Sequence, residues 1–418
     1  MSHRLEGNRA KISITMEQLL TPPQSSTVFP TVTLSSYQDL SSQPIVVFSH
    51  LRWNSVTQRP QHLLKRLSAH HPILFVEEPI DHDAKEKGTA KIEQVEENIT
   101  LLQPRISWEN MSQELVPILE EQFLEMGISD PILWFYSPMF IDVADSLSYS
   151  KIVYDCMDEL SAFLGAPQSL LSKEEKLLQL SDVVFTGGKS LYESKRQRHA
   201  NVHCFPSSVD EKHFKKVFKS STPIPADIST IKPPVVGFYG VVDERLDLDL
   251  IDQIALKRPE VSFVIIGPVV KINPASLPVR KNIHYLGKKE YAELPSYLKA
   301  FDIAMMPFAL NDATRFISPT KTLEFMAAKK PIISTAIYDV VRDYRDVVSI
   351  VSTVEAFSNA ITAYLEETES QCSNRERKQE AVIAKTSWDR TASAMRDLIS
   401  VESIATKSYV APALSYTT

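Results

Sequence analysis

Twice along this chain, short runs of β-branched and aromatic residues alternate with stretches of helical periodicity, and a proline- and lysine-rich joint separates the two series. The first series has strand-like runs at Ile45–Ser49, Ile73–Glu77, Ile99–Gln103, Ile132–Tyr136, Lys151–Asp155, Val183–Thr186 and Val202–Phe205. Helical patterns lie between them at Gln58–Ala69, Leu170–Leu180 and Ser190–His199. Strands that are nearly all apolar and separated by helices predict a parallel sheet covered on both faces. Lys215 to Pro234 has the composition of a linker. The alternation restarts with strands at Val235–Tyr239, Val261–Ile266, Ile283–Leu286, Ile303–Met306, Pro331–Ser334 and Val348–Val351. Its helices fall at Leu246–Leu256, Tyr291–Ala300, Pro319–Ala328, Val354–Glu366 and Trp388–Val401.

The predicted fold class is therefore α/β, with two doubly wound domains facing across a cleft. A ligand belongs where the carboxyl ends of both sheets meet. The expected boundaries are a poorly ordered segment over 1–43, a first domain over 44–214, a linker over 215–234 and a second domain over 235–385. A helix over 386–402 either crosses back to the first domain or stays on the second, and 403–418 is a tail.

A chain of 418 residues is too long for one core, which agrees with two domains. A net charge of −7 excludes nucleic acid as a general partner, because a phosphate backbone demands a basic surface. Cys156, Cys204 and Cys372 are widely spaced and lack CxxC pairing, so they read as buried thiols of a reducing compartment. No apolar run reaches membrane-spanning length, and the N-terminus shows no signal-peptide h-region. The cytoplasm is the expected location. With 10 glycines in the chain, phosphate binding would fall to helix ends and side chains rather than to bare backbone.

One segment bears most of the chemistry: Ile317-Ser318-Pro319-Thr320-Lys321-Thr322-Leu323-Glu324, continuing through Phe325-Met326-Ala327-Ala328-Lys329-Lys330 to Pro331-Ile332-Ile333. Ser318 is a candidate cap and Pro319 suits a first helical position. Free amides around Thr320, Lys321 and Thr322, with the Lys321 ammonium beside them, would form a phosphate seat. Glu324, one turn on, is an acceptor-only carboxylate suited to sugar hydroxyls. The plainer alternative is an ordinary amphipathic helix with a proline start.

Other candidates lie at strand ends. His50, Arg52, Asp155, Asp158, Lys189 and His203 fall where a cleft would open. Asp155 and Asp158 equally suit turn caps, and His50 and His203 equally suit core or rim positions. Gly187-Gly188-Lys189-Ser190 fails the phosphate-loop pattern, since Val183 replaces its first glycine. Gly240 starts a loop ending in Arg245, whose guanidinium could clamp two phosphate oxygens or sit at the surface. Asp247-Leu248-Asp249 imitates a DxD metal motif but reads as helix N-terminal charge, so no metal is expected. Phe308 closes the loop beyond the fourth strand of the second series. Lys195, Arg196, Arg198 and His199, with Lys65 and Arg66, form either a solvated face or a contact for an anionic membrane.

The Ile317–Ile333 segment resembles the nucleotide-sugar site of GT-B glycosyltransferases of family 4 (group 1), whose members run SP.K..E.MA.GKP into an aliphatic strand. Further likeness to a bacterial polysaccharide-type subgroup lies in His50-Leu51-Arg52-Trp53-Asn54, in Gln58-Arg59-Pro60-Gln61-His62-Leu63, and in Val153–Phe163. It continues through Asp182–Tyr192 and Phe205–Asp210, so that it covers residues 45 to 400. The resemblance implies two Rossmann-like domains and a retaining transferase using a nucleotide diphosphate sugar, UDP-linked, with a glycan or lipid-linked glycan as acceptor. It implies that Ser318, Pro319, Thr320, Lys321 and Thr322 hold the diphosphate with Gly240 and Arg245, that Glu324 holds the ribose, and that Phe308 neighbours the base. Lys321 and Arg245 would stabilise the leaving group. Asp155, Asp158 or His50 would serve as base if the reaction inverts. No cofactor beyond the donor is implied, and peripheral membrane contact is a further expectation. Two departures stand out: Phe316 occupies the place of a second glutamate, and Lys329 that of a glycine. Phe316 keeps two alternatives open, a catalytically idle module that binds a nucleotide sugar or a partner enzyme, and a sugar-nucleotide epimerase.

Overall fold

In the computed structural model, residues 43–80 and 87–400 are described. The expectations for 1–42 and for the 403–418 tail lie outside them. Eight strands build the first sheet: β1 (Ile45–Ser49), β2 (Ile73–Glu77), β3 (Thr89–Glu96), β4 (Ile99–Arg105), β5 (Ile132–Phe135), β6 (Lys151–Cys156), β7 (Val183–Thr186) and β8 (Val202–Cys204). Their order is β3–β4–β2–β1–β5–β6–β7–β8, and every pairing is parallel except the antiparallel β3–β4 edge. All residues of β1, β2 and β6 are buried, which is why these strands read as continuous apolar runs. The helices are α1 (Arg59–Leu67), α2 (Met111–Met126), α3 (Leu170–Leu180) and α4 (Lys189–Lys195).

The joint is not loose chain. After α5 (Glu211–Phe214), which precedes it, the joint holds a 3₁₀ turn at Lys215–Phe218 and α6 (Ala226–Ser229), and its Val217 and Ile228 are buried in the second core, as is Phe214 just before it. The second sheet is wholly parallel. Its strands are β9 (Val235–Tyr239), β10 (Ser262–Ile266), β11 (Ile283–Tyr285), β12 (Ile303–Met306), β13 (Ile332–Thr335) and β14 (Ser349–Val351), in the order β11–β10–β9–β12–β13–β14. Its helices are α7 (Leu248–Lys257), α8 (Leu294–Lys299), α9 (Lys321–Ala327), α10 (Tyr338–Tyr344), α11 (Val354–Leu365) and α12 (Glu369–Ile383).

The last helix, α13 (Trp388–Ser400), packs on α1 of the first half. Trp388 stacks on His62 with ring centroids 5.0 Å apart, and Trp388, Ala392, Met395 and Ile399 share a core with Leu63, Leu64 and Leu67. In each sheet the strand order reverses beside the first strand, between β1 and β5 and between β9 and β12. The loops leaving β1 and β9 therefore open at the switch points, where doubly wound folds bind ligands. No helix among the described residues is long and apolar enough to cross a membrane.

Candidate functional site

Both halves line one crevice enclosing about 1260 Å³ of empty space, its open mouth included. The first half contributes Ser55 to Arg59, Met157, Asp158, Gly187 and Ser207. The second contributes Gly240, Arg245, Gly267, Tyr291, Phe308, the stretch Ile317–Lys321, and Glu324.

The start of α9 corrects the predicted one. The helix begins at Lys321 rather than Pro319, and Ser318 does not cap it. The Pro319 carbonyl accepts the Thr322 N–H at 3.2 Å and the Thr320 carbonyl accepts Leu323 at 3.0 Å, so a tight turn leads into the helix. Ser318 is engaged elsewhere: its carbonyl accepts the Ser207 hydroxyl of the first half at 3.2 Å. Thr322 is also a correction. Its amide is spent on that turn, and its buried hydroxyl points at Met306 Sδ, 3.3 Å away. The amides of Thr320 and Lys321 have no partner among the described residues, and both residues line the crevice.

Lys321 and Glu324 face this space together. Burial pushes the Lys321 ammonium down from its ordinary pKa, with Arg245 adding to the effect and Glu324 opposing it. Burial pushes the Glu324 carboxyl up, against the pull of Lys321 and of the Tyr239 hydroxyl, which donates to Oε2 at 2.8 Å. Gly240 makes room for the lysine. A Cβ there would lie 2.2 Å from Lys321 Cε, and its φ of 148° is one that side-chain-bearing residues rarely adopt.

Arg245 donates from Nε and Nη2 to Asp243 at 2.6 to 3.1 Å, and its guanidinium lies over the Phe163 ring of the first half, 5.3 Å from the centroid. Lys271 meets the same ring at 4.9 Å. Asp158 feels the charge of these cations. Burial pushes its carboxyl up to about 6 although Arg245 and Lys321 pull it down. Phe308 is buried in the wall, edge-on to Phe238 at 6.0 Å.

Two candidate bases are not where the sequence reading put them. Asp155 is fully buried under α1, where Arg59 Nε donates to both its oxygens at 3.0 and 3.1 Å. A carboxylate enclosed by a guanidinium inside a sheet cannot reach a substrate. His50 is outside the crevice wall; burial and Lys271 hold its imidazole down at about 4, so it stays neutral near pH 7. Lys189 and His203 are also engaged, with Asp343 at 2.5 Å and with Asn201 at 2.8 Å. Asp247 caps α7 by accepting the Leu250 amide at 2.8 Å.

The basic cluster is divided: Arg196 is exposed, while several of its neighbours pair with carboxylates. Lys195 is fully buried between Glu159 and Glu174, Arg198 pairs with Glu174 and Glu175, and Lys65 and Arg66 pair with Glu96 and Asp389. Sequence reasoning overlooked Tyr239, Asp243, Tyr291 and Arg59. Tyr239 ends a strand whose apolar run hid its polar tip, while Arg59 stood inside a motif already noted.

Residues 233–367 match the family described as glycosyl transferases group 1. Over 219 residues the chain is 25% identical to "Putative teichuronic acid biosynthesis glycosyltransferase TuaH" of Bacillus subtilis (strain 168), a match spanning 49% of this chain and 55% of that relative. Among solved structures, sucrose-phosphate synthase (tll1590) from Thermosynechococcus elongatus superposes with a TM-score of 0.64 at 14% identity, over 86% of this chain and 98% of that one. An E. coli structure described as trehalose-6-phosphate bound with UDP-2-fluoro glucose gives 0.63 at 12%, over 86% and 99%. A UDP-forming α,α-trehalose-phosphate synthase from Burkholderia xenovorans, in complex with glucose-6-phosphate, gives 0.60 at 12%, over 86% and 100%. At such identities these likenesses speak for the fold. With two doubly wound halves around a shared crevice, and the Lys321–Glu324 segment inside the matched region, this chain has the GT-B fold and carries a domain of the group 1 glycosyl transferases.

Proposed function

We propose that the protein transfers a sugar from a nucleotide diphosphate sugar, UDP-linked, to a hydroxyl of a glycan or lipid-linked glycan, with retention at the anomeric carbon. One observation supports this above the others. The Lys321 ammonium, the Arg245 guanidinium and the free amides of Thr320 and Lys321 meet in the inter-half crevice beside the Glu324 carboxylate. In the reaction the bond from C1 to the diphosphate oxygen breaks and the acceptor oxygen bonds to C1. The acceptor proton passes to the departing diphosphate, so no strong protein base is needed. Lys321 and Arg245 offset the charge that develops on the diphosphate, within a site that is already folded around them. Glu324, with one oxygen held by Tyr239, takes ribose hydroxyls on its other. The UDP assignment leans on the neighbour bound with UDP-2-fluoro glucose, and the glycan acceptor on the relative named for teichuronic acid biosynthesis. The cytoplasm, where nucleotide sugars are made, is the proposed compartment.

Lys321→Ala and Glu324→Ala should each lower transfer from a UDP-sugar by about a hundredfold or more while leaving the far-UV circular dichroism of the apo protein unchanged. Wild-type rates in both would remove the site. A second reading rests on Phe316, which packs toward the first-half core instead of offering a carboxylate. An idle binding module would be stabilised by UDP and yet transfer to no acceptor in a broad screen.

A further inference from the structure

We infer that Tyr291 is a second ribose-reading residue, whose phenol engages one hydroxyl of the nucleotide's diol while Glu324 engages the other; this rests on the donor reading above. Tyr291 opens a 3₁₀ turn ahead of α8, and its side chain lines the crevice. Its ring is held on several sides. His213 stacks on it at 4.3 Å, and His62 and Phe214 meet it edge-on at 5.3 and 5.7 Å. The backbone is held too, since the Tyr291 carbonyl lies 2.8 Å from His213 Nε2. The hydroxyl is thus fixed in place, yet it is buried and has no hydrogen-bond partner among the described residues. A buried hydroxyl without a partner is unfavourable, and most folds avoid it.

Tyr239 gives the contrast on the same wall. Phe214 touches both tyrosines, lying parallel to Tyr239 at 6.5 Å, but the Tyr239 hydroxyl is satisfied by Glu324 Oε2. Glu324 is the foremost carboxylate whose charge Tyr291 feels, followed by Asp210. A phenol can donate and accept, whereas an ionised carboxylate can only accept. The two together suit a vicinal diol, in which one hydroxyl donates to Glu324 and the next is shared with Tyr291. Lys321 and Arg245 claim the phosphates, so within a nucleotide the group left for this corner is the ribose. The arrangement selects ribonucleotides over deoxyribonucleotides.

Titration calorimetry of the full chain with UDP, 2′-deoxy-UDP and 3′-deoxy-UDP tests this. Wild type should prefer UDP to both analogues. Tyr291→Phe should weaken UDP binding about threefold to tenfold and erase the discrimination against one analogue. Arg245→Ala should weaken all three nucleotides alike and leave the ratios unchanged. The phenylalanine keeps the ring that His213, His62 and Phe214 pack against, and a ratio measured within one variant does not depend on its folded fraction. A Tyr291→Phe protein with wild-type ratios overturns the inference and leaves the donor reading standing, as does a wild type that does not discriminate. A wild type that binds none of these nucleotides, nor GDP and its deoxy analogues, overturns the donor reading itself.

Discussion

At the scale of single residues, the site is a small set of charges only partly open to water. Asp158 shows the cost. Burial lifts its carboxyl from 3.8 to about 6, with Arg245 and Lys321 offsetting part of the rise. Between those values the folded protein holds a proton that the unfolded chain has released, so stability is greatest at the acid side of the window and is lost as pH rises through it. At pH 7 the ionised group costs at most about 3 kcal/mol relative to a neutral one. Asp158→Asn should therefore flatten the dependence, and its melting temperature should gain on wild type between pH 4 and pH 7. Parallel curves for the two proteins would place Asp158 in contact with water. Arg59 and Asp155 make the opposite case, since Arg59 Nε donates to both carboxylate oxygens and Nη2 lies 2.9 Å from one of them, which ties α1 to β6 inside the first half.

Among whole elements, the legible ones were those with a single environment. Strands buried along their full length, such as β1 and β2, announced themselves as apolar runs, and α3 was placed residue for residue. The overlooked elements lack that signature. β3 alternates Lys, Glu and Gln on an exposed edge, α2 contains Pro117, and α12 buries only Gln379 and Ile383 along fifteen residues. A helix with so little apolar stripe is held by its caps and neighbours: Thr368 accepts the Gln371 amide, and Arg375 reaches Glu367 and the Lys329 carbonyl. α13 is the reverse, an amphipathic helix whose apolar face docks away from the sheet that precedes it in sequence. Trp388→Ala removes the ring stacked on His62 and should cost about 3–5 kcal/mol, read as a lower melting temperature and earlier proteolytic release of the C-terminal helix.

For the molecule as a whole, one group of contacts that closes the two halves is polar. Lys189 meets Asp343 at 2.5 Å, Glu193 meets Arg342 at 2.8 Å, and the buried Asp339 accepts from Arg342 at 2.8 Å and from the Ser190 amide at 3.4 Å. Gly188 permits this approach, because a Cβ there would lie 2.7 Å from an Asp339 oxygen. These contacts differ in weight. The Lys189 pair is solvent-exposed, so Lys189→Ala should cost less than about 1 kcal/mol. Asp339→Ala would strip partners from a buried joint and should cost about 1–3 kcal/mol. Chemical denaturation of the two variants checks the ranking, and equal losses would contradict it.

The sequence by itself determined the two alternations, the doubly wound class and the Lys321–Glu324 segment, because each depends on local pattern: apolar runs, helical spacing, and a proline beside a lysine. Tertiary structure alone decided which candidates share the crevice. Asp155 and Asp158 are three residues apart, yet the chain turns at the end of β6, leaving one under a guanidinium and the other facing Lys321 and Arg245. Tyr291 and Glu324 lie far apart in the chain, yet both line the one crevice. Such meetings depend on burial and on long-range packing, and neither leaves a periodic trace in the residues themselves.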